Sequence, residues 1–280
     1  MVKEVRHRLR STALRAPLVW FRHRGLADKD VFLASYPRSG NTWMRFLLCE
    51  VLTGNAEFKD VGFVIPNVRR HQRGAALLVG GRLIKTHEPY RREYKKAIYL
   101  IRDPRDVAVS YYEFDNPTKK SLDEFLNLFA RGKCNSFGSW RQHIRGWLNS
   151  PLMENGNLLV IKYEDMRLNI ENALGEVLQF LGVPAKPEVI RKAVENNNLQ
   201  RLRAKEKQAF AAGVSLAGQP IRGGGHYIRK GSSGEWRERL TPAQAKLIED
   251  HAGELVATLG YSGQSGSPIL APAGLSGEAV

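Results

Sequence analysis

The chain has 280 residues, of which 42% are hydrophobic, and its formal net charge is +15 at pH 7. This length and apolar content are typical of a globular protein with a full core, in one large α/β domain or two small ones. The basic balance favours an anionic partner, and a phosphorylated ligand, an acidic membrane surface and nucleic acid all remain open.

Cysteine content and hydropathy narrow the class of protein. Cys49 and Cys134 are the two cysteines, which are too few for a disulfide framework or a cysteine-based metal site. This usage suits a reducing compartment. No apolar run is long enough to span a bilayer, and the stretch 16–21 is too short for a secretory signal. The expected localisation is therefore cytoplasmic.

Composition divides the chain into three regions. They are a basic N-terminal segment (1–29), a central domain (30–261) and a tail (262–280) rich in Gly, Ser, Pro and Ala that we expect to be flexible. The N-terminal segment mixes arginines with leucines and aromatic residues. It can lie on an anionic membrane as a basic amphipathic helix, pack on the domain, or remain a flexible arm.

Strands and helices alternate from residue 30 onward. The predicted strands are 31–36, 82–86, 97–101 and 158–163, and the predicted helices are 42–52, 104–114, 121–130, 140–149, 164–181, 187–196 and 242–259. This alternation predicts an α/β fold, with a P-loop-like central parallel sheet covered by helices on both faces. Ligands of such sheets bind beyond the carboxyl ends of the strands, so the polar loops that follow them should converge on one crevice.

The loop after the first strand is typical of a phosphate cradle. The run Tyr36-Pro-Arg-Ser-Gly-Asn-Thr-Trp43 joins a buried strand to a helix, whose N-terminus favours an anion. In the common loop G-x-x-x-x-G-K-[ST], lysine stands where this chain has Asn41. The cation is Arg38 instead, which disfavours Mg-ATP phosphoryl transfer but suits a phosphate-like group that needs no metal.

Two other strands end in chemically active side chains. Lys85-Thr-His87 follows the second strand, and His87 is the natural general base for a hydroxyl near neutral pH, with Glu88 as its rival. Arg102 ends the third strand, and Ser110 lies on the next helix, so the pair can grip a second phosphate.

A late run adds cations and an aromatic ring. Tyr227-Ile-Arg-Lys-Gly231 places two cations between a tyrosine and glycines, which predicts a mobile anion-binding loop. The crevice then has cations at two separated places, and the aromatic rings of Trp43, Tyr163 and Tyr227 can stack on a nucleobase. This combination suits an adenine nucleotide that carries an extra phosphate away from its reactive end.

Taken together, these motifs resemble the PAPS-dependent sulfotransferases of the cytosolic type, where PAPS is 3′-phosphoadenosine 5′-phosphosulfate. The resemblance runs from about Asp30 to Gly260 and also includes Tyr163-Glu-Asp165. It implies O-sulfation, in which a sulfuryl group passes from PAPS to an acceptor hydroxyl and PAP (3′-phosphoadenosine 5′-phosphate) leaves, without a metal.

The resemblance also implies the roles of individual residues. His87 is then the catalytic base, and Lys85 and Arg38 act near the transferring group. The implied nucleotide contacts are Arg38, Ser39, Gly40, Asn41 and Thr42 at the phosphosulfate, Trp43 and Tyr227 at the adenine, Tyr163 on the nucleotide, and Arg102, Ser110, Arg229, Lys230 and Gly231 at the 3′-phosphate.

The chain departs from the family pattern at several positions. Arg38 replaces the usual lysine, so this position keeps its charge but cannot donate a proton at neutral pH. Asn41 stands where threonine is common, and Leu199 stands where an aromatic residue often contacts the adenine. The family's dimer motif is degraded, so no dimer of that type is predicted and the oligomeric state stays open; the residues at that motif are Arg237, Thr241, Pro242 and Lys246.

Two other functions remain open from the sequence alone. One is a P-loop kinase, which Asn41 disfavours, and the other is a non-enzymatic binder of anionic ligands, which has no use for His87. No nucleic-acid recognition element stands out, so no nucleic-acid partner is expected. The acceptor is a hydroxyl-bearing molecule of unknown class. The segment 57–81 can cover the mouth of the acceptor site, and its basic residues, Arg69, Arg70, His71 and Arg73, favour a glycan or lipid-linked acceptor. The basic N-terminal segment favours peripheral contact with an anionic membrane.

Overall fold

The computed structural model describes residues 17, 20, 21, 23–71, 74, 80–114, 120–214 and 226–262. Most of the basic N-terminal segment and nearly all of the tail lie outside these residues. The membrane contact and the flexible tail therefore stay predictions, as does the mobility of the glycine run before Tyr227.

Four parallel strands form the centre of the described part of the chain. They are β1 (Val31–Ser35), β2 (Leu83–Thr86), β3 (Lys96–Ile101) and β4 (Leu158–Lys162), in the order β2-β1-β3-β4. All three pairings are parallel. The strands agree with the predicted ones to within a residue, which is the usual uncertainty at element ends.

Helices cover both faces of this sheet, as predicted. One face, including Phe32 and Tyr99, packs against α3, α4, α5 and α12, and the other, including Leu33 and Leu100, packs against α1 and α8. The helices are α1 (Asn41–Thr53), α2 (Phe58–Val64), α3 (Pro104–Phe114), α4 (Leu122–Ala130), α5 (Trp140–Leu148), α6 (Pro151–Glu154), α7 (Tyr163–Leu168), α8 (Ile170–Leu181), α9 (Pro187–Asn196), α10 (Leu199–Ala211), α11 (Trp236–Arg239), α12 (Pro242–Ala252) and α13 (Leu255–Thr258).

Two predicted helices are each divided in the structure. The prediction 164–181 was wrong at Asn169, which has non-helical φ and ψ of −148° and 87° and accepts a hydrogen bond from Asn172 N, so that it caps α8. The prediction 242–259 was wrong at Gly253, where φ is 64°. The sequence pattern does not predict α2, α6, α10 and α11.

Candidate active site

A cavity of about 820 Å³ gathers side chains that follow all four strands. The loop after β1, His87 after β2, Arg102 after β3 and Tyr163 after β4 line it, together with 227–231. Every predicted site residue lines this cavity except Ser39, which is buried. The predicted convergence of the strand-end loops is therefore what the structure shows.

The loop between β1 and α1 has the backbone of an anion cradle. Arg38 and Gly40 both have left-handed φ angles, 72° and 88°. Such residues turn successive N–H groups toward one point. Gly40 precedes the first turn of α1, and no side chain caps that terminus. A Cβ at Gly40 would lie 2.7 Å from Cδ2 of Tyr163, so a glycine is required here for both conformation and space.

The Arg38 side chain reaches from this loop to the helix after β3. Its Nε donates to Ser110 Oγ at 3.1 Å, and its Nη2 donates to the Tyr227 carbonyl at 3.3 Å. The guanidinium carbon lies 4.3 Å from the centre of the Phe114 ring. Burial, together with the charges of Arg102 and Arg229, lowers the pKa of Arg38 to about 10. Arg38 therefore stays protonated at neutral pH.

Arg102 fixes the junction between the cradle and the 227–231 loop. Its Nη1 donates to the Arg38 carbonyl at 3.1 Å and its Nη2 donates to the Ser232 carbonyl at 2.8 Å. Its guanidinium carbon lies 4.3 Å from the centre of the Tyr163 ring. Arg102 therefore ties together the segments after β1, β3 and β4.

Arg229 and Lys230 share one carboxylate. The two terminal nitrogens of Arg229, Nη1 and Nη2, donate to the Glu235 carboxylate, and Lys230 Nζ lies 3.4 Å from Glu235 Oε1. Eight buried side-chain atoms have no hydrogen-bond partner within the described ranges, and four of them belong to the predicted site: Ser39 Oγ, Asn41 Oδ1, Arg102 Nε and Arg229 Nε. Buried donors left in this way point to a bound group that completes them.

The hydrogen bonds of His87 fix its tautomer. Nδ1 lies 2.8 Å from the Ser35 carbonyl oxygen, which can only accept, so Nδ1 carries the proton and Nε2 is left as the basic nitrogen. Burial holds the pKa of His87 well below its usual value, and the charge of Lys85 acts in the same direction. His87 is therefore neutral at pH 7, as a general base must be. Its rival Glu88 is buried and does not line the cavity.

A polar network that the sequence did not predict holds the backbone at His87 and Glu88 in place. His143 Nε2 donates to the His87 carbonyl at 3.0 Å, and His143 Nδ1 accepts from the Tyr99 hydroxyl at 2.6 Å. Trp147 Nε1 donates to the Glu88 carbonyl at 3.3 Å. The only sequence signal for this network is that His143 shares the apolar face of α5 with Trp147, a spacing that is ordinary for core residues.

Asn41 connects the cradle to the same histidine. Its Nδ2 donates to the Leu33 carbonyl at 3.1 Å and to Ser35 Oγ at 3.3 Å, and Ser35 Oγ lies 3.2 Å from His87 Nδ1. The residue that stands in place of the P-loop lysine is therefore turned back toward β1. The sequence indicated the substitution but not this link.

Lys85 lines the cavity beside His87 and is half-buried. Burial holds the pKa of Lys85 well below its usual value, and the charges of Arg45 and Arg69 act in the same direction. Arg45 is a buried cation that no sequence motif indicates. Its Nη2 donates to the Val61 and Ile65 carbonyls, at 3.2 and 2.6 Å, and so holds the end of α2 against α1.

The predicted adenine side of the cavity contains Trp43, whose Nε1 donates to the Asn197 carbonyl at 3.0 Å. The centres of the Trp43 and Tyr163 rings are 6.4 Å apart, whereas Tyr227 packs on Phe114 at 5.5 Å. Leu199 lines the cavity and packs against Gly231, because a Cβ added at Gly231 would lie 2.4 Å from Leu199 Cδ1. No aromatic ring is therefore supplied at this position.

The described residues contain neither a cluster of metal ligands nor a membrane-spanning helix. No group of three or more His, Cys, Asp or Glu side chains is arranged to hold a metal ion within those ranges. In the same part of the chain, none of the helices has the length and apolar character needed to cross a membrane.

Comparison with known proteins identifies the family. The family model of the sulfotransferase domain matches residues 28–260. Sulfotransferase 2A1 of Macaca fascicularis is 32% identical over 244 residues, covering 80% of this chain and 83% of the relative. The 3-alpha-hydroxysteroid sulfotransferase of Cavia porcellus is 31% identical over 243 residues, covering 79% and 82%.

Solved structures have the same fold. Mouse sulfotransferase SULT7A1 complexed with PAP has a TM-score of 0.65 and 24% identity, over 84% of this chain and 87% of that one. Retinol dehydratase in a complex with retinol and PAP has a TM-score of 0.63 and 20% identity, over 87% and 84%. At these identities the likeness shows the fold alone.

These findings confirm the predicted α/β fold class and the predicted family. Membership of the sulfotransferase family excludes the two alternatives, a P-loop kinase and a non-enzymatic binder of anionic ligands. The chain belongs to the sulfotransferase family, and it is an enzyme that transfers a sulfuryl group from PAPS to an acceptor hydroxyl.

Proposed function

We propose that PAPS lies across the strand ends and that His87, Lys85 and Arg38 carry out the transfer. The observation that supports this most strongly is the placement of His87. It lines the same cavity as the phosphate cradle, and Ser35 holds its Nδ1 proton so that Nε2 is the nitrogen left to accept another.

The residues present fit the two charged ends of PAPS. The 5′-phosphosulfate is held by the backbone N–H groups of the cradle, which the left-handed φ angles of Arg38 and Gly40 turn toward one point. Ser39 contributes from the same loop, although its side chain does not line the cavity. The 3′-phosphate is held where Arg102 and Arg229 each keep a buried Nε without a partner, beside the Ser110 hydroxyl. Asn41 and Thr42 complete the first end, Lys230 and Gly231 complete the second, and Trp43, Tyr163 and Tyr227 contact the adenosine.

The mechanism follows from these assignments. His87 Nε2 takes the proton of the acceptor hydroxyl while the acceptor oxygen forms its bond to sulfur. The bond from sulfur to the bridging oxygen of the 5′-phosphate breaks, and negative charge develops on that oxygen. Arg38, Lys85 and the N–H groups of the cradle stabilise this charge, which is where preorganised donors contribute most. The products are the sulfate ester and PAP.

Lys85 can supply the proton donation that Arg38, in place of the family's usual lysine, cannot. An arginine cannot donate its proton at neutral pH, whereas a lysine shifts its pKa readily when buried. Burial holds the pKa of Lys85 well below its usual value, so Lys85 is the better proton donor to the leaving oxygen. Arg38 then contributes its charge alone.

The acceptor is a hydroxyl compound, and we favour a glycan or a lipid-linked molecule over a neutral steroid. The support is the placement of the exposed side chains of Arg69 and Arg70 on the cavity wall. His71 is buried and does not line the cavity, and Arg73 lies outside the described residues. The name of the Cavia porcellus relative specifies a hydroxysteroid for that protein. A cytoplasmic protein with peripheral membrane contact through residues 1–29 remains a proposal, tested by comparing vesicle sedimentation of the full chain with that of a chain lacking this segment.

A thermal shift experiment tests the nucleotide assignment. PAP should raise the melting temperature, because a ligand that binds only the folded protein stabilises it by mass action. ATP with Mg²⁺ should stabilise the protein much less, since the cradle has no lysine at position 41. Stabilisation by ATP with Mg²⁺ but not by PAP would contradict the proposal, as would the absence of label transfer from ³⁵S-PAPS to any acceptor mixture.

A further inference from the structure

One end of the cavity is built around an extension of the sheet beside β2. Lys85 N donates to the Pro66 carbonyl at 2.8 Å, and Val68 N donates to the Lys85 carbonyl at 2.9 Å, so residues 66–68 lie alongside β2 in parallel. The chain then turns at the carboxyl end of this segment. Arg69 and Arg70 come directly after it, at the same sheet edge as His87.

This turn is an ordered one. Asn67 Oδ1 accepts from Arg69 N at 3.1 Å, and the Asn67 carbonyl accepts from Arg70 N at 2.7 Å. Asparagine side chains of this kind define a turn by replacing a backbone acceptor. The turn sets the positions from which the two guanidinium groups, both on the cavity wall, project.

The opposite wall comes from α2. Lys59, Gly62 and Phe63 all line the cavity, and their spacing of three and four residues places them on one face of the helix. Phe63 is 59% exposed although it is a large apolar side chain. Phe137, from the loop before α5, is a second ring on the cavity wall, and it lies 5.9 Å from His87 between ring centres.

These cations are separate from those that hold the nucleotide. Neighbouring strands lie about 4.8 Å apart, and the segment 66–68 is two places from β1 and three from β3. Arg69 and Arg70 therefore start roughly 10 Å from the cradle and roughly 14 Å from Arg102 across the sheet. This end of the cavity therefore offers cations to an anionic group other than those of PAPS.

The charge of this end is of one sign. None of the described residues that line the cavity is an aspartate or a glutamate. A cleft lined by one sign of charge concentrates ligands of the opposite sign. A neutral steroid would leave Lys59, Arg69 and Arg70 without a use in binding.

We propose that the acceptor is an anionic hydroxyl compound, whose carboxylate or phosphate is bound by Arg69 and Arg70 while a hydroxyl reaches His87. The apolar part of the acceptor lies against Phe63 and Phe137, and Lys59 adds a third cation. This inference rests on the proposed function, since it takes His87 as the base. It names one shared chemistry, which a free sugar acid, a phosphate ester or a lipid headgroup can each supply.

The test uses acceptors that differ mainly in charge. The first pair compares glucose with glucuronic acid, and the second compares inositol with inositol 1-phosphate. Vesicles that contain phosphatidylinositol present the phosphorylated inositol as a lipid headgroup. Binding is measured by calorimetry on the full chain with and without PAP, and sulfation is measured with ³⁵S-PAPS. We expect the anionic members to bind at least tenfold more tightly, because each charge-assisted hydrogen bond is strong.

A double variant and a matched control locate the effect. Arg69→Ala/Arg70→Ala should reduce the preference for the anionic members about tenfold and leave the affinity for PAP unchanged. The control Lys186→Ala/Lys192→Ala removes two exposed charges from the start and middle of α9, outside the cavity, and should leave the preference intact.

The outcomes separate the inference from the function on which it rests. Equal binding of anionic and neutral members, absence of binding by the anionic members, or an unchanged preference in the Arg69→Ala/Arg70→Ala variant would overturn the inference. Failure of the chain without substitutions to bind PAP would instead count against the proposed function. Preference for the free phosphate or for the vesicle form identifies the source of the acceptor, and each supports the inference.

Discussion

Arg38 Nε donates a hydrogen bond to Ser110 Oγ at 3.1 Å, and this contact joins the phosphate cradle to the helix that begins after β3. The acceptors of the Arg38 side chain are neutral, namely one hydroxyl and two carbonyl groups. Arg102 and Arg229 are close enough for their charges to lower the pKa of Arg38. The side chain is thus a half-buried cation with other cations nearby, and its residue has a left-handed φ of 72°, a conformation that glycine adopts most readily.

Arg38→Gly should therefore leave the free energy of unfolding of the free protein unchanged or raise it, because relief of roughly 1–2 kcal/mol of backbone strain offsets the lost contacts. The affinity for PAP should fall at least tenfold, since a charged hydrogen bond contributes about 1.5–3 kcal/mol. Urea denaturation and PAP titration measure the two effects. A clear loss of stability with unchanged PAP affinity would make Arg38 a structural residue.

His87→Ala should lower kcat by roughly 10²–10⁴, the usual contribution of a general base. Binding of PAP should change little, because the base lies toward the acceptor. Single-turnover transfer from ³⁵S-PAPS and PAP titration by thermal shift give the two readouts. Unchanged turnover would remove His87 from the mechanism.

The pH dependence of kcat/KM reports the free-enzyme pKa of the base. Burial and Lys85 hold the pKa of His87 well below 6.5, so His87 stays neutral and active as the pH falls to that value. We expect a plateau from pH 7.5 down to pH 6.5 and an acid limb below it. A limb with its midpoint at or above pH 6.5 would mean that His87 is not the titrating base, or that its site is open to water.

Asn41 should act on His87 through Ser35. Asn41→Thr and Ser35→Ala each break the same chain of hydrogen bonds, so we expect kcat to fall about tenfold in each, with little further loss in the double variant. Steady-state kinetics of the three variants measure the coupling. Fully additive losses would show that the two side chains act independently.

Gly40→Ala should destabilise the fold and abolish PAP binding, because the new Cβ would need the left-handed φ of 88° and would lie 2.7 Å from the Tyr163 ring. Gly182→Ala is the matched control, with a φ of 69° at the end of α8 and no atom within 4 Å of an added Cβ. Both variants should lose roughly 1–2 kcal/mol of stability from strain, measured by urea denaturation. PAP titration should show loss of binding for Gly40→Ala alone, and equal PAP binding by the two would reject the close-packed cradle.

The strand-end side chains show why much of the site could be predicted. Arg38, His87, Arg102 and Tyr163 follow four apolar strands, and strands of a parallel sheet end at one edge. Knowing the strands is therefore enough to expect these residues together. Apolar periodicity is a poorer guide to helix ends, because the pattern runs on through Asn169 and Gly253 although the backbone breaks the helix at both residues.

The sequence by itself determined the fold class, the family and the composition of the site, because hydrophobic periodicity and the order of the loops are local properties of the chain. Only the tertiary structure decided which atoms meet. Arg38 and Ser110 are 72 residues apart, and His87 and His143 are 56 residues apart. Such contacts depend on how helices pack on the sheet, so the tautomer of His87 and the position of the Arg38 side chain follow from packing and not from any run of residues.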